Sequence, residues 1–386
     1  METLEPSTAE ELSALLRDAG AQGRALVPVG GGTKACSFTP PDGAWLSVKR
    51  LPTTLAHFPG DLVATLPAGA RLRDVNDALA KAGQWLPLDP PFSDRATIGG
   101  IVAANDSGPR RHRYGAPRDL IIGIDMTLAD GQGVKAGGRV VKNVAGYDLS
   151  RLLCGSFGSL AVITSATFKL APVAPASATV VAPLSDAGRL APLLQDLAES
   201  PFTPSAVEID TPPARLLLRF ETTPASARHM AAAASAICAR HGAEPATLEG
   251  SAEAEAWTDV EGGVWSGDGA VVKLAVPPTE VAPALDEVQE SSARESVDWH
   301  ASGRAALGVL FVRLDGDSSA LGRLIAEWRG AAARRHGSLV VQRLRPALTG
   351  IGRWGEVGDA LKMMRSVKAR FDPRGILSPG LGPGGL

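Results

Sequence analysis

Hydrophobic and polar positions alternate in two distinct rhythms along the first 170 residues, and each rhythm predicts its own elements. Thr8 and Glu11 stand at capping-box spacing ahead of Leu12, Leu15, Leu16 and Ala19, so a short amphipathic helix opens the chain. Strand-like runs follow at 25–29, 45–48 and 61–67. Then 71–82 reads as a helix that turns Leu72, Val75 and Leu79 inward. Residues 101–104 are small and apolar enough to be packed backbone. A strand at 121–128 passes through Ala129-Asp130-Gly131 into 134–136, a hairpin by its Asp-Gly signal, and 160–170 alternates as a further strand.

The second half changes pattern. β-like runs (TVVAPL, LLLRFE, AVVKLAV, ALGVLFVRLD, SLVVQRL) are separated by helical stretches at 185–200, 224–241, 279–289 and 319–336. A sheet covered on one face by helices is expected, an α+β unit. A last helix at 355–370 places Val357, Leu361, Met364 and Val367 on one side and ends at Asp372-Pro373. A Gly- and Pro-rich tail follows, expected to pack back on the first domain.

Composition narrows the function classes. The chain has 386 residues, enough for two or three cores, and its 39 basic and 41 acidic side chains leave a formal charge of −2. Nucleic-acid binding, which calls for a basic excess, is not indicated. Cys36, Cys154 and Cys238 are far apart, so no disulfide framework, zinc site or iron–sulfur cluster is encoded. The acidic start METLEPSTAEEL has no secretory pattern, and no apolar run reaches the roughly 18 residues of a spanning helix. A cytoplasmic protein is expected. His57, His112, His229, His241, His300 and His336 show no HxH or HxxxH pair, so no metal site is expected.

Chemistry concentrates in three glycine turns. Gly30-Gly31-Gly32-Thr33-Lys34-Ala35 follows a buried strand and formally fits a dinucleotide fingerprint. That fingerprint needs a helix next and an acid about 20 residues on. Pro40 and Pro41 forbid the helix, and Lys49 and Arg50 stand near the acid's place. Two readings remain for this turn, a backbone nest around a pyrophosphate or a plain hairpin turn. The second turn is Thr97-Ile98-Gly99-Gly100, with Asn105, Ser107 and Gly108 on the next bend. The third is Gly155-Ser156-Phe157-Gly158-Ser159, either a structural turn or a place where backbone approaches a ligand closely. Elsewhere, Arg110, Arg111 and Arg113 form a basic cluster that reads as a carboxylate site or a solvated loop. Trp257, Trp265 and Trp299 read as packing residues or as a shield for a bound ring.

VGGGTK at 29–34, TIGGIVAANDSG at 97–108 and VKNVAGYDLSRLLCGSFGSLAVIT at 141–164 together resemble the PCMH-type FAD-binding domain of vanillyl-alcohol oxidase-type flavoproteins. The third stretch is most similar to the FAD-binding E subunit of bacterial glycolate oxidase. FDPRGILSPG at 371–380 resembles the family's closing segment, with Ser378 where asparagine is common. The resemblance implies an α+β fold: a two-subdomain FAD-binding domain at 1–172, an α+β cap with an antiparallel sheet at 173–345, and a C-terminal helix and tail at 346–386 that return to the FAD domain. It implies FAD held non-covalently by Gly30, Gly31, Gly32, Thr33 and Lys34, by Thr97, Gly99, Gly100, Asn105, Ser107 and Gly108, and by Gly155, Ser156, Gly158 and Ile163. It also implies a small 2-hydroxyacid substrate, glycolate oxidised to glyoxylate, a catalytic flavoprotein subunit and an iron–sulfur subunit as partners, and membrane association only through those partners. The histidine motif HGDGNxH of catalytic relatives has no counterpart here. A flavin-bearing electron-transfer or assembly subunit, or a free-standing FAD-dependent alcohol oxidase, therefore stand as alternatives. No catalytic residue is singled out; Tyr147 and Asp148 adjoin the third turn, and Asp148 also suits a helix cap.

Overall fold

The computed structural model describes residues 2–34, 43–52, 54–140, 146–185, 187–344 and 350–386. The chain divides into two compact units. One is built from residues 1–108, 114–173 and 356–386, the other from 109–113 and 174–355.

The first unit holds, among the described residues, a short two-stranded pairing of Gln84–Trp85 with Ala171–Pro172 and two further sheets. In the smaller, Ala44–Ser47 lies parallel to both Thr3–Leu4 and Leu26–Val29. In the larger, five antiparallel strands run in the order Ala56–Phe58, Val63–Pro67, Val162–Lys169, Ile121–Thr127, Gly133–Gly137. The Asp-Gly hairpin forms as its sequence requires, with Gly131 at φ +81° in the turn. Thr8 caps the opening helix Ala9–Gln22 by accepting from the Glu11 N–H, and Leu12, Leu16 and Ala19 enter the core. Leu72, Val75 and Leu79 of helix Leu72–Ala80 reach the same core, and Ile376 and Leu377 from the far end of the chain complete it.

The second unit is one eight-stranded antiparallel sheet. Its order is Ala246–Leu248, Ala176–Pro183, Arg215–Thr222, Ala206–Thr211, Asp298–Arg304, Val309–Asp315, Ala270–Ala275, Ser338–Arg343. Helices Leu190–Ala198, Pro224–Arg240, Val281–Glu295 and Ser318–Arg334 bury their apolar stripes in a core with Val180, Ile209, Val272 and Val312. The mixed helix and antiparallel-sheet architecture is the one expected from sequence.

Four elements depart from the sequence pattern. Gly250–Trp265 is a helix that the pattern did not mark. Strands Ala206–Thr211 and Asp298–Arg304 bury Glu208, Asp210 and Arg304, charges that break a strand's apolar signature. The C-terminal helix spans Ala360–Phe371, shorter than expected, and Met364 is exposed on it.

Candidate functional site

The three glycine turns converge within the first unit. The Gly31 N–H donates to Thr97 Oγ1 at 3.3 Å, joining first turn to second. The second turn begins the helix Ile98–Ala104, and that helix's C-terminal carbonyls receive the third turn: Gly155 N–H donates to Val102 O at 3.1 Å and Phe157 N–H to Ala103 O at 2.8 Å. The circle closes where Gly158 lies against Pro28, in the strand that feeds the first turn; a Cβ on Gly158 would stand 3.1 Å from the proline ring.

Several glycines are required by this turn-to-turn packing. A Cβ on Gly30 would fall 1.9 Å from Thr97 Oγ1, and one on Gly31 would fall 2.0 Å from the Arg95 carbonyl oxygen. Gly108 is pressed against the Asp89 carbonyl in the same way, at 1.8 Å. Gly99 meets the Ala68 methyl, and its N–H donates to Ala68 O at 2.9 Å. The N–H groups of Gly31, Gly99 and Gly155 are therefore committed to protein acceptors. Those of Gly30, Gly32, Thr33 and Gly100 meet no acceptor among the described residues, and the buried Ser156 hydroxyl has no partner among them either.

The remaining expected site residues surround this ring. Lys34 donates to Pro91 O at 3.2 Å and pairs with Asp106. Asn105 caps the helix in the left-handed region at φ +47°, and its Oδ1 accepts from the Arg118 N–H at 3.2 Å. Ser107 is buried, its N–H on Asp106 Oδ1. Ile163 is buried in strand Val162–Lys169, one residue before Thr164, whose carbonyl accepts from Ala68 N–H at 2.9 Å. Beyond the turn, Asp148 caps the helix Leu149–Leu153 through the Arg151 N–H, and the Tyr147 side chain is exposed. Residues 141–145 of the third motif, with Ala35, Cys36, Pro40 and Pro41, lie outside the described residues.

A cavity of about 620 Å³ opens beside the first turn, where Gly31 and Thr97 meet Lys49 and Arg95 across an apolar wall of Leu55, Pro67, Ala70 and Val75. Sequence reading passed over most of this wall. Its signal was Pro67-Ala68-Gly69-Ala70, a fourth close approach: a Cβ on Gly69 would stand 2.5 Å from Val48 O. Cationic side chains beside uncommitted backbone donors suit a diphosphate, and the apolar wall suits a flat ring. The residues present thus fit the dinucleotide implied by the sequence resemblance.

The closing segment is tied to the third turn through a buried ammonium. Lys368 Nζ donates to Ser159 O at 2.8 Å, Leu377 O at 2.7 Å and Asp372 Oδ2 at 2.6 Å. Asp372 in turn accepts from the N–H groups of Ile376 and Leu377. Leu26, at the start of the strand before the first turn, accepts from Ser378 N–H and donates to Ile376 O.

In the second unit the arginine cluster and the tryptophans have structural partners. Arg110 forks onto the Glu221 carboxylate at 2.7–3.1 Å, and Arg113 donates to the Glu221 carbonyl, so this is a paired segment and not a solvated loop. Trp257 is buried, with its indole N–H on Thr179 Oγ1 at 2.9 Å; Trp265 packs at the edge of Phe311.

Comparison with known proteins agrees with this geometry. Residues 3–137 match the model of an FAD binding domain, and residues 354–381 match that of the FAD linked oxidases' C-terminal domain. Glycolate oxidase subunit GlcD of Bacillus subtilis is 27% identical in an alignment that covers 97% of this chain and 87% of that protein. Subunit GlcE of Escherichia coli is 41% identical over 38% of this chain and 42% of its own length. D-lactate dehydrogenase of Archaeoglobus fulgidus is 37% identical over 44% of this chain and 38% of its own. The chain thus spans less than half the length of those last two relatives. Alkyldihydroxyacetonephosphate synthase shares the fold, with a TM-score of 0.73 at 17% identity over 98% of this chain and 76% of that one. Glycine turns that clasp one another around uncommitted donors, and family matches at both ends of the same unit, lead to one conclusion: the chain carries an FAD binding domain and a segment of the FAD linked oxidases' C-terminal domain, and is an oxidoreductase with FAD as its cofactor.

Proposed function

We propose that the chain is the FAD-binding subunit of a glycolate oxidase-type 2-hydroxyacid dehydrogenase complex that oxidises glycolate to glyoxylate. The observation that carries this reading is the joined set of three turns in a chain whose relatives include two glycolate oxidase subunits and a D-lactate dehydrogenase. When bound, FAD accepts a hydride equivalent from the substrate's α-carbon while the hydroxyl proton is lost. The chain's own part is placement. Gly30, Gly32, Thr33 and Gly100 offer N–H groups to the diphosphate, Lys49 and Arg95 offset its charge, and Ser156 supplies a hydroxyl from the third turn. Lys34 is held by Pro91 and Asp106, and in this reading the cofactor is bound without a covalent link.

In this reading residues 1–172 and 346–386 hold the cofactor and 173–345 form the cap. Electrons leave through a catalytic flavoprotein subunit and an iron–sulfur subunit, and the complex works in the cytoplasm. Among the described residues no helix is long and apolar enough to cross a membrane. The reading is tested by purifying the chain, reconstituting it with FAD and recording its absorption. Bound flavin bands are expected; their absence after reconstitution overturns the assignment.

A second reading, a flavin-bearing electron-transfer or assembly subunit, is favoured by the histidines. His57, His241 and His300 are bonded to Gln84, Asp196 and Asp210 at separate places in the two units. Anaerobic addition of glycolate to the isolated FAD-loaded chain separates the readings. Flavin bleaching excludes the passive role, and oxygen consumption without partners indicates a free-standing oxidase.

A further inference from the structure

We propose that the first unit carries a second small-molecule site, distinct from the glycine turns, which takes a short carboxylate bearing a neighbouring ammonium or hydroxyl group. A cavity of about 320 Å³ lies among the C-terminal half of helix Ala9–Gln22, the hairpin turn at 129–131 and the loop after the C-terminal helix. Arg17 and Arg374 line it, with Asp130, over a floor of Gly20, Ala21 and Ala129. Both guanidinium groups lie against bare backbone. Arg374 Nη1 is 3.5 Å from where a Gly20 Cβ would stand, and Arg17 Nη1 is 3.1 Å from where a Gly131 Cβ would stand.

Neither guanidinium meets a carboxylate or a carbonyl acceptor among the described residues, although both sit at the mouth of one cavity. Arg374 also complements the last turn of the helix, which has no basic residue of its own. That role leaves Arg17 and the cavity unexplained. Asp130 determines the kind of ligand. Its Oδ1 accepts the Gln132 N–H at 2.9 Å, which fixes the carboxylate and leaves Oδ2 for a donor. Two cations and one oriented anion suit a molecule with a carboxylate at one end and a hydrogen-bond donor close by, and the small apolar floor accepts a short side chain.

The test uses the full FAD-loaded chain and two probes that differ only in the α-ammonium group, L-valine and 3-methylbutanoate, in isothermal titration calorimetry. Saturable binding of L-valine is expected. Arg17→Gln and Arg374→Gln should each weaken it about tenfold, and Asp130→Asn should bring L-valine down to the affinity of 3-methylbutanoate. Flavin content and far-ultraviolet dichroism of each variant verify that the fold and the cofactor site are intact. Absence of saturation with either probe, or affinity that the arginine variants leave unchanged, overturns the proposal without touching the flavin assignment.

Discussion

Lys368 and Asp372 form a buried ion pair, Nζ to Oδ2 at 2.6 Å, and the same ammonium spends its other two protons on the carbonyls of Ser159 and Leu377. Lys368→Met would leave the fully buried Asp372 side chain without its counter-ion and free two carbonyls. A loss of roughly 3–5 kcal/mol is expected, read as a lower urea midpoint. The FAD dissociation constant should rise as well, because Ser159 belongs to the third turn. A variant with unchanged stability would show that the knot holds nothing together.

Gly30 and Gly31 fail differently when a methyl group is added. Gly30→Ala collides with the Thr97 side chain, whose hydroxyl is 1.9 Å from the new atom, so Thr97→Ala in the same molecule should restore part of the FAD affinity. Gly31→Ala collides with the Arg95 backbone carbonyl, and no side-chain truncation relieves it. Single variants are expected to lose at least tenfold in FAD affinity, about 1.4 kcal/mol. Equal rescue of both by Thr97→Ala would contradict the packing described.

Glu221 should make the second unit acid-sensitive. Burial pushes its carboxyl up, but the Arg110 hydrogen bonds and charge, with Arg219, outweigh burial and hold it below the usual carboxylate range. The folded state thus binds this proton more weakly than the unfolded chain. Its contribution is complete above the usual carboxylate range and is lost as pH falls through the depressed value. Glu221→Gln is expected to cost roughly 3 kcal/mol at neutral pH and much less near pH 3, measured by denaturant titration at both.

The thiols of Cys154 and Cys238 should resist reagents. Burial pushes them up to about 12 and about 11 respectively. At pH 8 about one Cys154 thiol in ten thousand is then ionised. In a Cys36→Ser background, thiol titration of the native protein should label neither within minutes, and both after unfolding. Unfolded thiols ionise near ~8.5, so from there upward the folded chain keeps protons that the unfolded chain sheds, and stability should fall as pH rises. Rapid labelling of the native variant would count against the buried placement.

The turns were legible in the sequence because glycine leaves a strong mark, but the reason for those glycines was not. Gly30 and Gly31 were expected to clear space for a ligand, whereas their bare faces receive Thr97 and Arg95. Which donors stay uncommitted depends on contacts across 66 residues of sequence, as in Gly31 to Thr97, and no local pattern encodes them. Strands Ala206–Thr211 and Asp298–Arg304 were missed for a related reason. Asp210 is buried because His300 and Arg215 meet it across neighbouring strands, a satisfaction that local polarity hides. Helix Gly250–Trp265 carries Gly262 and Gly263, poor helix formers, and Gly263 is needed where the His300 ring crosses 2.6 Å from its missing Cβ. Arg110 looked solvated because its partner Glu221 lies 111 residues away.

The seam between Leu26 and the Ile376–Ser378 segment fixes an order of events during synthesis on the ribosome. The strand that precedes the first glycine turn is made some 350 residues before the backbone that pairs with it. The second unit has all but five of its residues in one continuous stretch, 174–355, and can close while the nascent polypeptide is still growing. The cofactor-binding half cannot close until residues 376–378 have been made, so coenzyme capture must wait for them, and loss of residues 375–386 would silence it while sparing the other half.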